Sequence, residues 1–409
     1  MRRRPLLRTT YAADSALFPS TTQKVAMVCL GIGAVLAVLG KLPFVGYLGT
    51  PEWSLVLARV LIFAVGALGL NILIGLGGQV SLGHAFFLGI GAYTAVVLGG
   101  SGAGQLWGLE LPIWVWLPAS GVVAALFGVL VSPVAVRLRG LYLAIVTLGL
   151  VFLGSHLFNN VTDIAGSPGV GRRWPKLDLR LWKEEQPLLD LTNSGRWFGV
   201  DVTGNQKQVL ALLVVTTVLA FAARNIARTR VGRALAAIRD RDIAAEVMGV
   251  AEARYKLIAF GLSSFYAGVA GALLGGVFQT LTPDTWNLAM SIEFVAILII
   301  GGAGTVAGTL LGAMFVVASG QVIKELTELL SQKAAGTGIF SGIADLLVSQ
   351  GNDFGLVSLQ PIGKGLSIFQ FNHLFYGVLL VVFMLAEPLG LYGIWVRIRA
   401  YWKGWPFTY

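Results

Sequence analysis

The chain is short of most of what soluble chemistry depends on. Charged residues make up 12% of its 409 residues, about half of the share usual in soluble domains. It has one cysteine, Cys29, and three histidines, His84, His156 and His373. A single thiol excludes an internal disulfide and a cysteine-built metal cluster. None of the histidines stands at a spacing that pairs it with a nucleophile or a second ligand. The phosphate loop G-x-x-x-x-G-K-[ST] is absent as well: the run Ile362-Gly363-Lys364-Gly365 lacks the upstream glycine and the hydroxyl residue. The chain therefore cannot hydrolyse ATP by that route, and a membrane-embedded enzyme is the class with least support.

What the chain has in abundance is apolar surface. It is 56% hydrophobic with a mean hydropathy of +0.77, and several of its apolar runs reach the roughly 20 residues that span a bilayer core as a helix. The sequence predicts an all-α, polytopic membrane protein of about 8–10 transmembrane helices. Candidate spans cover 24–46, 56–76, 80–99, 112–136, 140–158, 207–223, 257–279, 290–322 and 371–393. The formal charge of +10 does not point to nucleic acid, because the basic residues sit at span ends, where the positive-inside rule places them. Arg137 and Arg139 mark one cytoplasmic loop. Arg224, Arg228, Arg230, Arg233, Arg239, Arg241, Arg254 and Lys256 mark a second.

This orientation gives a linear plan. Residues 1–23, with Arg2, Arg3, Arg4 and Arg8 and no cleavage signal, form a cytoplasmic tail. A first bundle covers 24–158, and the nearly charge-balanced 159–206 is an extracytoplasmic loop. Spans within 207–322 enclose a cytoplasmic coupling loop at 224–256. Residues 323–370 form an extracytoplasmic insertion, 371–393 the last span, and 394–409 a cytoplasmic tail anchored by Arg397, Arg399 and Lys403 among aromatic residues.

Within the spans, one stretch does more than anchor. GLGGQVSLGHAFFLGIGAYTAVV, from Gly75 to Val97, sets glycines beside Gln79, Ser81, His84, Tyr93 and Thr94. Glycines expose backbone N–H and C=O groups and let a helix break. A zwitterionic solute could then be held by a helix N-terminus and by carbonyl or side-chain oxygens. Close helix packing also uses small residues. If the segment is helical there, Ser81 and His84 share a face. The run 290–322 is long for one crossing and short for two, and Gly301-Gly302-Ala303-Gly304-Thr305 marks a turn inside it. ILIGLGGQVSLGH from Ile72 is echoed by ILIIGGAGTVAGT from Ile297, with Gly83 and Gly308 at the same offset. Paired glycine-interrupted spans point to a transport path, so Gln79, Ser81, His84, Tyr93, Thr94, Gly301, Gly302 and Gly304 are its candidate residues. Gly261, Ser264, Gly268, Gly271 and Gly275 form a stripe of small residues suited to helix packing.

The second signal is the loop VGRALAAIRDRDIAAEVMGVAEARYKLIAF, Val231 to Phe260, longer than a helical hairpin needs. Its alanine-rich part, Ala234 to Ala245, is predicted helical and suits the docking of a partner. It resembles the cytoplasmic loop of ABC-importer permeases, whose signature is Glu-Ala-Ala, three residues, then Gly. Ala244, Ala245 and Gly249 match; Ile243 replaces the glutamate, and Glu246 follows three residues later. That variant is similar to the branched-chain amino-acid permeases of the LivM type. So are QVSLGHAFFLGIGAY, LRGLYLAIVTLG, SIEFVAILIIGGAGTVAGTLLGA and AEPLGLYGIW, colinear from about residue 60. The loop after Asn159 and the 323–370 insertion match nothing in that family.

The resemblance implies a permease subunit of an ATP-binding-cassette importer in the bacterial inner membrane. The expected partners are a second permease of the LivH type, two ABC ATPase subunits, an extracytoplasmic solute-binding protein and membrane lipid. No cofactor is expected on this chain, since ATP and Mg would sit on the ATPases. Arg239, Ile243, Ala244, Ala245, Glu246 and Gly249 would couple to them. The family's solutes are leucine, isoleucine and valine, or broader neutral amino acids, urea and short amides. A standalone channel or secondary carrier is the competing class, but it has no need of the docking loop, and the spans carry no charged ion relay.

Overall fold

The computed structural model describes residues 21–41, 46–102, 106–138, 140–166, 171–175, 177–180, 189–191, 193–197, 200–334, 348–349, 357–358, 366–387 and 389–404. Most of the N-terminal tail, Arg139, most of the insertion, and the end of the C-terminal tail lie outside the described residues.

The helices are α1 (Thr21–Val38), α2 (Pro51–Leu70), α3 (His84–Gly99), α4 (Ile113–Arg137), α5 (Leu141–Asn160), the short α6 (Thr162–Ala165), α7 (Gly204–Arg228), α8 (Arg230–Asp240), α9 (Asp242–Val247), α10 (Glu252–Phe278), α11 (Leu288–Gly301), α12 (Val306–Ala334), α13 (Ile368–Ala386) and α14 (Gly390–Gly404). Among the described residues, seven helices are long and apolar enough to cross a membrane, or eight if the bent pair α13–α14 is one span. The strands are minor. The pairing of β1 (Arg172–Arg173) with β2 (Thr280–Leu281) ties the segment after α6 to the end of α10. Three two-residue strands near the C-terminal spans, at 348–349, 357–358 and 366–367, pair in parallel.

Two helices form the centre. The spans of α2 and α10 are each 78% buried within the chain, whereas those of α4, α5 and α7 are 33% or less. In a bilayer, helices meet through close backbone approach rather than through an apolar drive against water, and the stripe on α10 supplies that approach. Side chains in place of Gly268 and Gly271 would meet Ala124 and the Leu88 carbonyl, and one at Gly275 would meet Trp174. Ser264 lies against Gly128, and Gly261 faces Val129. The stripe thus packs on α3, α4 and the β1 segment of this same chain. Aromatic rings fill the level beside it: Phe63 stacks on Phe294 at 4.9 Å, and His84 meets Phe294 edge-on at 5.0 Å.

Several expected boundaries move, each for a local reason. The 80–99 span begins its helix only at His84, leaving Ser81 in non-helical chain and off the helical face it was expected to share. The last span, expected over 371–393, bends by 46° between α13 and α14. Pro388 follows Glu387 in the sequence, and the residue before a proline is driven out of helical backbone; Glu387 has φ −140° and ψ 80°. Beyond 322, α12 runs on to Ala334, because IKELTELLSQK is made of good helix formers. The predicted helix Ala234–Ala245 is split at Arg241, which is extended at φ −156° and ψ 97°.

Candidate functional site

Both glycine-rich breaks lie where the helices were expected to fail, and they touch each other. At its end α2 widens into a π-helical turn over Asn71–Leu76, a distortion that recurs at functional sites. Gly77, Gly78 and Gln79 close it by donating to the carbonyls of Ile72, Ile74 and Leu73. Gly78 takes the left-handed conformation at φ +66° that turns the chain back. The second break is shorter. After α11 ends, Gly302 and Gly304 take φ of +108° and +86°, and α12 starts at once. Thr305 Oγ1 accepts from Gly308 N at 3.1 Å and so caps it.

The two breaks are joined by one hydrogen bond. Gly304 N donates to Asn71 Oδ1 at 2.7 Å, and a side chain at Gly75 would strike both of these groups. A third element reaches the same point from far along the chain. Arg239, at the end of α8, donates from Nη1 to Gly75 O at 2.7 Å. Its Nε and Nη2 donate to Asp240 Oδ1 at 3.2 and 3.1 Å.

From Gly78 the chain climbs back beside α2 without helix. His84 Nε2 donates to Gly66 O at 2.9 Å; a carbonyl only accepts, which fixes that tautomer. Gly66 stands ten residues before Leu76 in α2 and its π turn, so α3 starts about 15 Å deeper than the break at 1.5 Å per residue. Irregular backbone at that depth must be satisfied by protein. Three hydroxyls do this: Thr147 Oγ1 accepts from Leu82 N at 3.0 Å, Ser291 Oγ from Ala85 N at 3.0 Å, and Ser81 Oγ from Gly83 N at 3.3 Å.

The predicted path residues are therefore covered by this chain's own helices. Gln79, Ser81, His84 and Tyr93 are buried, and both polar atoms of the Gln79 side chain are without a hydrogen bond. Tyr93 and Thr94 lie further along α3; Tyr93 packs 4.6 Å from Phe158, and Thr94 bonds its own helix at Ile90 O. Gly301 admits α12 at Gly308 and Gly312, and Gly302 admits Leu389, just before α14, and Tyr392 of α14.

Of the predicted docking residues, Arg239 lies at the breaks, Ala245 is buried, and Ile243, Ala244, Glu246 and Gly249 form a separate, exposed tip. Helix α9 ends in a closed reversal: Val250 N donates to Ala245 O at 3.0 Å and Gly249 N to Glu246 O at 2.9 Å, with Gly249 at φ +82°. This is the glycine-terminated Schellman pattern, and it gives the signature glycine a backbone reason. Ala245 is buried, while Ala244 and Glu246 are exposed. Ile243, Val247 and Met248 are 69, 82 and 82% exposed, an apolar surface at the end of a charged loop.

Sequence reasoning missed Asn71, Thr147 and Ser291. Asn71 was findable, as a lone amide in an apolar run. The two hydroxyls carry no local signal, because the amides they cap belong to another part of the chain.

Buried broken helices, hydroxyls satisfying backbone inside the bundle, and an exposed loop tied to the breaks define the class: a multi-pass membrane permease. Comparison with known proteins is more specific. Residues 53–349 match the family described as branched-chain amino acid transport system / permease component. The chain is 33% identical over 315 residues to the high-affinity branched-chain amino acid transport system permease protein LivM of Escherichia coli K12, covering 75% of this chain and 70% of that one. It is 32% identical over 305 residues to the LivM protein of Salmonella typhimurium, covering 72% and 68%. The LivH permease of Salmonella typhimurium is 25% identical over 260 residues, covering 62% and 78%. No solved structure matches the chain. The chain belongs to the branched-chain amino acid transport permease family.

Proposed function

We propose that this chain is one of two permease subunits of an ATP-binding-cassette importer that carries leucine, isoleucine and valine into the cell. The solute assignment follows the names of its relatives. The observation that carries the mechanism is the α9 tip, whose exposed Ile243, Val247 and Met248 sit on a rigidly closed helix beside Ala244 and Glu246. An apolar knob on an otherwise charged loop suits the groove of a cytoplasmic partner. In this reading ATP and Mg stay on two ATPase subunits, a LivH-type permease completes the path, and a binding protein delivers solute from outside. The loop side, with its arginines, faces the cytoplasm.

ATPase closure would draw α9 toward the partner and open the covered segment from Gln79 to His84 and the second break at Gly301, Gly302 and Gly304. The unpaired amide of Gln79 and the amides now held by Thr147 and Ser291 would then become available to a solute's carboxylate. Deleting Ala244–Gly249 should abolish labelled leucine uptake and ATPase co-purification while leaving the chain in the membrane. Undiminished leucine uptake in that deletion would overturn the reading, and uptake of urea but not leucine by the intact transporter would overturn the solute class.

A further inference from the structure

We infer that Arg239 is not part of the docking face but a transmission pin, the positioning residue through which movement of the α8–α9 loop reaches both helix breaks. The inference rests on the importer reading above and adds to it the route of coupling.

Three observations place Arg239 in this role. First, its guanidinium bridges segments distant in sequence: it donates to Gly75 O at 2.7 Å and lies beside Gly304, where an added Cβ would be 3.5 Å from Nη1. Both α2 with its π turn and α11 end at this junction, and helix C-termini carry unsatisfied carbonyls and partial negative charge. A cation held there is matched to both. Second, the glycines make the room. A Cβ on Gly78 would lie 2.6 Å from Arg239 Cγ, so the arginine stem occupies the space that a side chain in the first break would need. Third, the anchor on the loop side is stiff. Helix α8 buries Leu235 completely and packs on α7, α10 and the π turn, while Asp240 holds the other edge of the guanidinium.

The fork explains the residue type. Arginine keeps Nη1 on Gly75 and Nε with Nη2 on Asp240 at the same time, and a lysine ammonium cannot hold that planar pair of contacts. A shift of α8 by a fraction of its diameter would pull Gly75 O, and with it the Asn71–Gly304 bond, or release them together.

The test uses the assembled transporter with its ATPases and binding protein in proteoliposomes, comparing wild type, R239A and R239K. In R239A the ATPases should still co-purify and hydrolyse ATP, while leucine uptake falls about tenfold or more, the scale of a typical coupling between sites. R239K should lie between. A C29S/Q79C chain gives a second readout: thiol modification at position 79 should respond to ATP where Arg239 is retained and lose that response where R239A is added. Uptake within about twofold of wild type in R239A overturns the inference. So does loss of ATPase co-purification in R239A, which would put Arg239 in the docking face. Should R239A not accumulate, R239K decides: reduced uptake with bound ATPases supports the pin, and full uptake with an intact position-79 response overturns it. Failure of the wild-type chain to bind ATPases would instead overturn the importer reading itself.

Discussion

The two breaks begin from nearly the same sequence and end differently. Aligned from Ile72 and Ile297, Gly77 matches Gly302 and Gly83 matches Gly308. The second break closes within Gly302–Thr305, whereas the first leaves helix until His84. The decisive position is the one where Thr305 stands in the second copy and Val80 in the first. Thr305 brings its own oxygen to the free amide of Gly308, so α12 starts immediately. Val80 has no acceptor to offer. In the first copy the matching Gly83 amide donates to Ser81 Oγ at 3.3 Å, and the chain stays out of helix until oxygens from other helices, Thr147 on α5 and Ser291 on α11, reach the amides of Leu82 and Ala85. A glycine break whose following helix is capped at once closes as a turn, whereas one whose helix start also relies on borrowed oxygens runs on without helix through the membrane interior.

Substitutions can break or sharpen this contrast, starting with the junction. G75A should have the largest effect. Its new methyl would enter the space held by Asn71 Oδ1 and the Gly304 backbone, and neither can give way without losing their bond. A cost of about 3 kcal/mol is expected, seen as loss of monodisperse protein after detergent extraction. Accumulation at the wild-type level would show that the two breaks need not meet. The second substitution, T305V, makes the second copy resemble the first. Loss of the cap should cost about 1 kcal/mol and lower the thermal midpoint in detergent. If the midpoint does not move, the local cap is not what shortens the second break. The smallest effects belong to S291A and T147V, each removing one borrowed acceptor in the membrane interior. Such bonds are worth about 0.6 kcal/mol on average and at most about 1.7. The loss in the double variant should depart from the sum of the two single losses, and strict additivity would mean that the hydroxyls do not act on the same helix start.

Much of this architecture is legible in the sequence. The spans follow from apolar length, the breaks from clustered glycine, and the loop tip from Ala244, Ala245 and Gly249. What is not legible is contact across the chain. Gly75 and Arg239 stand 164 residues apart, and Asn71 and Gly304 233, with no spacing rule to join them. The non-helical run Gln79–Gly83 reads as helix because apolar composition is the same for both conformations. Only the tertiary hydroxyls decide between them. His84 is a path candidate in the sequence because it stands with Gln79 and Ser81 among the glycines; its ring is committed to Gly66 O and Phe294, a packing role set by the level at which α3 starts.

The borrowed caps also bear on how this helix breathes. The first amides of a helix are ordinarily among the quickest to trade protons with solvent, because they open without unwinding anything else. At the start of α3 the amides of Leu82 and Ala85 open only if α5 or α11 withdraws its hydroxyl. In deuterated buffer they should therefore behave as core amides, and their exchange would report relative motion of three helices rather than local fraying of one.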